Sequence, residues 1–432
     1  MARSPAEQIF DSLMVSATLP LAEREALTGQ ALAAIVGHAR QTVPYYRDRL
    51  DGVIGADGHV DREAWHALQP LSRHDLQNHK GALTSTRCPA LHGEIHERST
   101  SGTTGKPVTV LITDRTKLVE QALMARYYCW VGLDPRLALV ILQGARHPLL
   151  PYRVPIQDTW FPEWLAGPDF APYFRLHHPA SEEEQIAFLA QAGPTYFNTQ
   201  PSNFRRVLHA LRAGAGPVPD LRGLISVGEL VTGEDRALAR EVAGCEIFDA
   251  YTATDVGAMA AQCSHGNLHV NAESVWLETV RADDTPCADG EEGRILVTTM
   301  ANGAMPLLRY DIGDIGVLGG ACGCGLSLPK LTLTVGRERQ LFRFSDGVAV
   351  VPIFRMEKFS DIFPVRQWQL AQTGPEAVEL RFSSDVTDEK LKFDEIAGEI
   401  RQALGRPVDI AFRRGVELLG PSGKLEPSIR LV

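Results

Sequence analysis

Ser99-Thr100-Ser101-Gly102-Thr103-Thr104-Gly105-Lys106-Pro107 is the stretch on which the reading of this sequence turns. Serine and threonine hydroxyls crowd around two glycines and one lysine. Glycine lets a backbone approach a ligand closely, hydroxyls and amides donate hydrogen bonds, and the lysine adds a positive charge. Such a loop suits a polyphosphate. It is not a Walker A loop, which runs Gly-x-x-x-x-Gly-Lys-Ser/Thr from a strand into a helix. Thr100 stands where the first glycine belongs, and Pro107 replaces the magnesium-binding hydroxyl and opposes a helix. The flanks read as strands instead: Gly93 to Glu97 leads in, and β-branched alternation from Pro107 to Ile112 leads out.

Outward from the loop, 432 residues are enough for a large domain and a smaller one. Hydrophobic residues at 44% and charged residues at 22% allow a sizeable core. A net charge of −10 argues against a general nucleic-acid or anionic-membrane surface, so a phosphate site must rest on local donors. No apolar run reaches the length of a membrane span, and no secretory core follows Met1. Seven scattered cysteines do not make a disulfide framework. The expectation is a cytoplasmic protein without nucleic-acid or membrane partners.

Residues 1–50 read as helices ended by Pro44, and Ser72 opens a short capped helix. A helix from Arg115 to Val131 would bury Leu118, Ala122, Ala125 and Tyr128, ahead of a buried strand at 137–142. Ser181 and Glu184 stand in capping-box register. Short strands near 195–198, 223–227 and 245–249 alternate with helices, which means an α/β layered domain with a largely parallel sheet. From about 275 the pattern turns β-rich, and the last hundred residues read as a small α+β unit. Ligands bind at strand ends in such sheets. Two segments fall there: Ser226-Val227-Gly228-Glu229, and Asp249-Ala250-Tyr251-Thr252-Ala253-Thr254-Asp255.

Together with Val43-Pro44-Tyr45-Tyr46-Arg47, these motifs resemble the adenylate-forming enzymes, in particular the phenylacetate–CoA ligase-like family. The likeness spans essentially the full length. It implies a large ATP- and acid-binding domain over 1–335 and a small mobile lid over 336–432. It implies that Ser99, Thr100, Ser101, Gly102, Thr103, Thr104, Gly105 and Lys106 hold phosphate, and that Gly228, Glu229 and Asp249 line the nucleotide. By the same likeness Tyr251 packs on adenine, Thr254 touches phosphate and Asp255 helps hold magnesium, with aspartate standing for the usual glutamate. Leu308-Arg309-Tyr310-Asp311-Ile312-Gly313-Asp314 matches the family's Arg-Tyr-x-Thr-Gly-Asp, making Asp314 the ribose ligand although Ile312 replaces threonine. Gly336-Arg337 resembles the hinge, with Arg337 at the nucleotide, although Glu338-Arg339-Gln340 departs from the usual acidic continuation. In Ser422-Gly423-Lys424, Lys424 matches the lysine that neutralises charge as the carboxylate attacks the α-phosphate.

Thiolate and imidazole ligands in fours are what a structural zinc takes. Cys263, His269, Cys322 and Cys324 form such a quartet, with His265 as a substitute ligand. The other cysteines read as packing residues or surface thiols. The resemblance implies Mg-ATP, a carboxylic acid (aromatic by family likeness) and coenzyme A as acceptor, with an amine or carrier-protein acceptor and a homodimer left open. Acid-pocket walls are expected near Tyr127, Tyr128, Gln143, Gly144 and Asn198. The rival of another class is a nucleotide-binding protein that has lost catalysis, which the departures at Asp255, Ile312 and Arg339 would favour. A zinc hydrolase is disfavoured, since a closed cysteine-rich site leaves no position for water.

Overall fold

The computed structural model describes residues 3–100, 108–143, 160–166, 171, 173–177, 180–335, 342–346, 348–350, 363, 365, 367–384, 386–415 and 428–432. The chain divides into a first unit, Met1–Ile312 with Gly316–Thr334, and a second, Val335–Val432 with Gly313–Ile315.

Helix α1 (Pro5–Ser16) opens on a capping box of Ser4 and Glu7. Helix α2 (Leu21–Thr42) buries Leu32, Ile35, Val36 and Ala39 at helical spacing. It stops at Val43, whose backbone is extended because Pro44 follows. Three short helices come next: α3 (Arg62–Ala67), α4 (Arg73–Asn78) and α5 (Lys80–Leu83). Ser72 and Asp75 close a capping box at the start of α4.

Strands β1 (Ile95–Ser99) and β2 (Thr109–Thr113) form an antiparallel pair with Ser99 opposite Thr109. The predicted strands around the phosphate loop are therefore present. Thr113 then caps α6 (Asp114–Trp130). The buried face of α6 is Val119, Ala122, Leu123, Ala125, Arg126 and Tyr127, rotated from the expected row; Leu118 and Tyr128 are only half-buried. Arg126 drives that rotation. Its fully buried guanidinium donates to the Leu13 carbonyl, to Asn271 and to both oxygens of Glu273, fastening α6 to α1 and to the second sheet.

The parallel sheet is built from β3 (Ala138–Gln143), β4 (Tyr173–His177), β5 (Thr195–Thr199), β6 (Leu221–Ser226) and β7 (Ile247–Phe248), in the order β4-β3-β5-β6-β7. The connections carry α7 (Glu163–Ala166), α8 (Glu182–Ala192), α9 (Pro201–Arg212) and α10 (Gly233–Ala243). One face packs Val140, Phe197, Leu224 and Ile247 against Leu189, Phe204, Val207 and Leu238. The other packs Leu139, Tyr196 and Ile225 against Tyr128, Trp160 and Phe161. Burial on both faces is why these strands read as apolar runs without alternation.

A single residue, Asp249, separates β7 from β8 (Ala250–Ala253), the first strand of the second sheet. That sheet adds β9 (Gly257–Gln262), β10 (Leu268–Val270), β11 (Val275–Val280), β12 (Glu292–Thr299), β13 (Tyr310–Leu318) and β14 (Lys330–Val335), in the order β11-β12-β13-β14-β10-β9-β8. Its apolar side and the N-terminal helices share one core, which includes Leu32, Val36, Tyr46, Trp65, Val270, Val297 and Leu308.

In the second unit, β15 (Phe342–Arg343) pairs with β16 (Ala349–Val350). β17 (Gln367–Gly374), β18 (Ala377–Ser383), β19 (Asp409–Arg414) and β20 (Ser428–Arg430) form a mixed sheet in the order β19-β18-β17-β20. Leu370, Leu380 and Phe382 bury themselves against Ile396, Ile400 and Leu404 of α11 (Phe393–Leu404). Ahead of it Asp388–Lys390 is a 3-10 turn, and α11 begins at Phe393.

Candidate functional site

Where the chain crosses between sheets, Ser226 at the end of β6 donates through Oγ to the Asp249 carboxylate. The Asp249 amide donates to Gln262 Oε1 (3.0 Å), and Arg236 braces the same point from α10 through Gln262 (3.1 Å) and the Ile247 carbonyl (2.5 Å). Burial pushes the Asp249 carboxyl above its usual range, with Ser226 and Arg236 pulling the other way. The Tyr127 hydroxyl is buried and has no hydrogen-bond partner among the described residues. Burial first, and then the Asp249 charge, raise that phenol well above its ordinary value.

The other predicted pocket residues lie around this crossing. The Tyr127 and Tyr128 rings are 5.7 Å apart, and Tyr128 contacts Trp160 and Phe161. Gln143 ends β3, and Asn198 sits on β5 between Ile141 and Ile225 of its neighbours. Gly228 is exposed with φ +72°, a left-handed backbone that favours glycine. Glu229 accepts from the Ser202 amide and hydroxyl, each at 2.9 Å, so its carboxylate is engaged at the start of α9. This is a cap that the sequence reading did not foresee.

At the free edge of the second sheet Tyr251 is buried in β8, Thr254 is exposed in the turn after it, and Asp255 is buried. Tyr310 Oη donates to Asp255 Oδ2 (2.8 Å), and Arg73 Nη1 stands 3.7 Å from the same oxygen. Asp255 Oδ1 accepts from none of the described residues. One hard oxygen on a buried carboxylate is the donor magnesium takes, so the residues fit that ion. Arg73 Nη2 also donates to Thr100 Oγ1 (3.2 Å). Thr100 closes the base of the hairpin: its amide donates to the Val108 carbonyl (2.8 Å) and its Oγ1 accepts from the Val108 amide (2.9 Å). Ser99 Oγ meets Thr109 Oγ1 at 2.8 Å. Asp314 is buried on β13. Ser101, Gly102, Thr103, Thr104, Gly105, Lys106, Gly144, Arg337 and Lys424 lie outside the described residues.

Two members of this constellation escaped the sequence reading. Arg73 lies in a segment legible only as a capped helix. The Tyr310 hydroxyl belongs to a motif read for its aspartate. A third residue, Arg309, builds the frame beneath them. Its backbone is left-handed (φ +47°), and its fully buried guanidinium donates to the carbonyls of Trp65 (3.3 Å), His66 (2.9 Å) and Leu68. The Leu71 amide donates to the Arg309 carbonyl (3.0 Å) and the Asp311 amide to the Leu71 carbonyl (2.9 Å). Arg73 is thereby fixed two residues from a main-chain bridge to β13.

Away from this edge, Cys263, His269, Cys322 and Cys324 converge, with all four ligand atoms within 4.8 Å of one another. Two thiolates about 2.3 Å from a tetrahedral ion stand roughly 3.8 Å apart; Cys263 and Cys322 Sγ are 3.8 Å apart. His269 Nδ1 is 2.8 Å from the Leu328 carbonyl, which can only accept, so Nδ1 carries the proton and Nε2 faces Cys324 Sγ at 3.4 Å. Burial raises the Cys322 thiol, but hydrogen bonding within the quartet outweighs it and holds that thiol below its ordinary range, while burial holds Cys324 above it. The donor set fits zinc. His265 is not part of it: its ring lies beside Gly323, outside the quartet.

No family model matches the chain. It is 24% identical over 363 residues to a phenylacetate–coenzyme A ligase of Thermus thermophilus, covering 78% of this chain and 75% of that protein. A 2-hydroxyisobutyryl-CoA ligase, solved in the postadenylation state with R3-HIB-AMP, matches it with a TM-score of 0.71 at 17% identity, over 96% of this chain and 91% of the other. The chain shares the fold of that ligase. An anthranilate CoA ligase in complex with anthranoyl-AMP shares the fold at a TM-score of 0.53 and 15% identity, over 77% of this chain and 65% of the other. In sequence the chain is similar to the Thermus enzyme, a phenylacetate–coenzyme A ligase. Among the described residues no helix is long and apolar enough to cross a membrane.

Proposed function

We propose that this chain activates a carboxylic acid with Mg-ATP, releasing pyrophosphate, and passes the acyl group from the resulting adenylate to coenzyme A. The observation that carries this reading is the juxtaposition of the Gly/Ser/Thr hairpin, through Thr100 and Arg73, with the Asp255–Tyr310 pair. A carboxylate oxygen attacks the α-phosphorus, the bond to the pyrophosphate oxygen breaks, and the mixed anhydride gives the acid a leaving group. The thiol of coenzyme A then displaces AMP and its proton goes to solvent. The obstacle in the first step is the approach of two anions, which fixed positive charge and aligned donors relieve.

In this reading Asp255 holds magnesium, which screens the phosphates. Thr254 and the residues from Ser99 to Lys106 take the phosphate oxygens, and Lys424 offsets the charge that develops during attack. Asp314 takes the ribose hydroxyls; Asp249, Gly228, Tyr251 and Arg337 serve the nucleotide. Tyr127, Tyr128 and Asn198 sit at the acid, and the surrounding aromatic packing supports an aromatic substrate. The Cys/His quartet holds a structural zinc. None of the seven cysteines is in a disulfide, which is consistent with a reducing cytoplasm.

The test is pyrophosphate release from ATP across aryl and alkyl acids, with and without coenzyme A. Acid-dependent release with thioester formation is the expected outcome. Release without thioester would transfer the acceptor role to an amine or a carrier protein. ATP binding without release across the whole panel would sink the enzymatic reading in favour of a nucleotide-binding protein.

A further inference from the structure

The guanidinium of Arg73 joins two parts of the site that the chain brings in separately. It reaches Thr100, which brackets residues 101–107, and it faces Asp255. We propose that Arg73 is a positioning residue: it fixes the base of the phosphate hairpin in register with the metal-binding carboxylate, so that polyphosphate and magnesium meet one preset geometry. This rests on the adenylation reading and deepens it.

Arg73 has the features such a clamp requires. Its backbone is held by the Leu71–Arg309 and Asp311–Leu71 hydrogen bonds and by the Ser72–Asp75 capping box. Its two terminal nitrogens serve different partners, one neutral hydroxyl and one carboxylate, which a planar fork does and a single ammonium does not. Asp255 is 8% exposed, so its charge is felt strongly by the nearest cation, and the hydroxyl of Tyr310, itself buried, holds the carboxylate in place. Among the described residues, the groups facing Asp255 are Tyr310 and Arg73 alone. The side chain of Arg73 is 39% exposed, so its removal leaves no cavity in the core.

The hairpin has other ties. Arg98 pairs with Glu120 and His96 with Asp114, both on α6. These fix its outer strand to the helix but make no link to Asp255. Only Arg73, among the described residues, spans the gap from Thr100 to Asp255. Its loss is therefore expected to loosen the register between the two phosphate-binding parts without disturbing the acid pocket.

The experiment compares full-length wild type, Arg73→Gln and Arg73→Lys in steady-state acid-dependent pyrophosphate release, with Mg-ATP binding measured directly by calorimetry. Loss of two charge-assisted contacts predicts a rise of about tenfold in KM for ATP in R73Q, with a matching loss of Mg-ATP affinity. kcat is expected to stay within about threefold, and the KM for acid and the melting temperature to stay at wild-type values, because no contact to either is removed. R73K restores the charge without the fork and is expected to fall between, at about threefold in KM for ATP. An unchanged KM for ATP in R73Q overturns the proposal. So does a common rise in both KM values with a lowered melting temperature, which marks a merely structural arginine. If wild type binds Mg-ATP but releases no pyrophosphate, the adenylation reading fails while the R73Q binding deficit still supports the clamp. A wild type that binds no Mg-ATP overturns both.

Discussion

In the parallel sheet, the polar groups at the strand ends are stripped of water and tied to one another: Ser226 to Asp249, Asp249 to Gln262, with the Tyr127 hydroxyl buried nearby. At the edge of the second sheet the polar groups are set against charge instead, Asp255 against Arg73 and Tyr310. On the reading proposed above, the first arrangement, with aromatic rings packed beside it, serves recognition of an uncharged ring. On the same reading, the second holds the place where negative charge accumulates. A chain crossing between sheets at one residue can thus set recognition beside electrostatics without a separate domain for each.

The largest expected effect asks whether the two sheets suffice by themselves. Lys424→Ala should lower kcat for acid-dependent pyrophosphate release by about 10²- to 10³-fold, the scale of losing one group aimed at developing charge, with Mg-ATP binding retained. Full activity in that variant would assign the chemistry to the sheets alone. Next, Asp255→Ala should raise the magnesium concentration needed for half-maximal rate by about a hundredfold, while Asp249→Asn should leave it unchanged. If both variants shift the magnesium requirement alike, the contrast between the sheets is lost.

Zinc removal probes the second sheet away from the Asp255 edge. One zinc per chain is expected by mass spectrometry of the native protein. Its chelation, or Cys324→Ser, should lower the melting temperature by roughly 5 °C, as about 4 kcal/mol of binding linkage would in a chain of this size, with KM for ATP unchanged in the folded enzyme. The smallest effect concerns desolvation. Because the folded-state Asp249 carboxyl titrates above its unfolded value, the native state holds the extra proton between those two values, and stability falls as pH rises through them. Asp249→Asn should lack that decline, so its melting temperature should gain on wild type as pH rises above the ordinary carboxylate range. A constant difference would mean Asp249 is not appreciably desolvated.

Local chemistry made much of this visible in the sequence. The β-branched run after Pro107, the capping pair at Ser181 and Glu184, and the continuous apolar strands each carry their own signal, and each lies where that signal put it. The metal quartet was legible because cysteine and histidine have few other uses in such numbers. Arg73 was not. An arginine after a capping serine reads as a solvated helix residue, and what makes it otherwise is the bridge of Leu71 to residues 309 and 311, a contact with no local trace. The face of α6 was misjudged for a related reason: Arg126 looks solvent-bound until Asn271 and Glu273 supply partners from 145 and 147 residues away.

Arg309 carries a consequence for biosynthesis. The carbonyls of Trp65, His66 and Leu68 wait on a side chain 241 to 244 residues downstream. At about 5–20 residues per second, a ribosome needs roughly ten to fifty seconds to deliver it. During that interval the nascent segment around α3 and α4 has no finished seat, and Arg73 has no fixed backbone from which to reach Thr100 and Asp255. Nucleotide-binding competence should therefore arise late in translation, as a step, when the Leu308-Arg309-Tyr310 run emerges and draws the early helices into place.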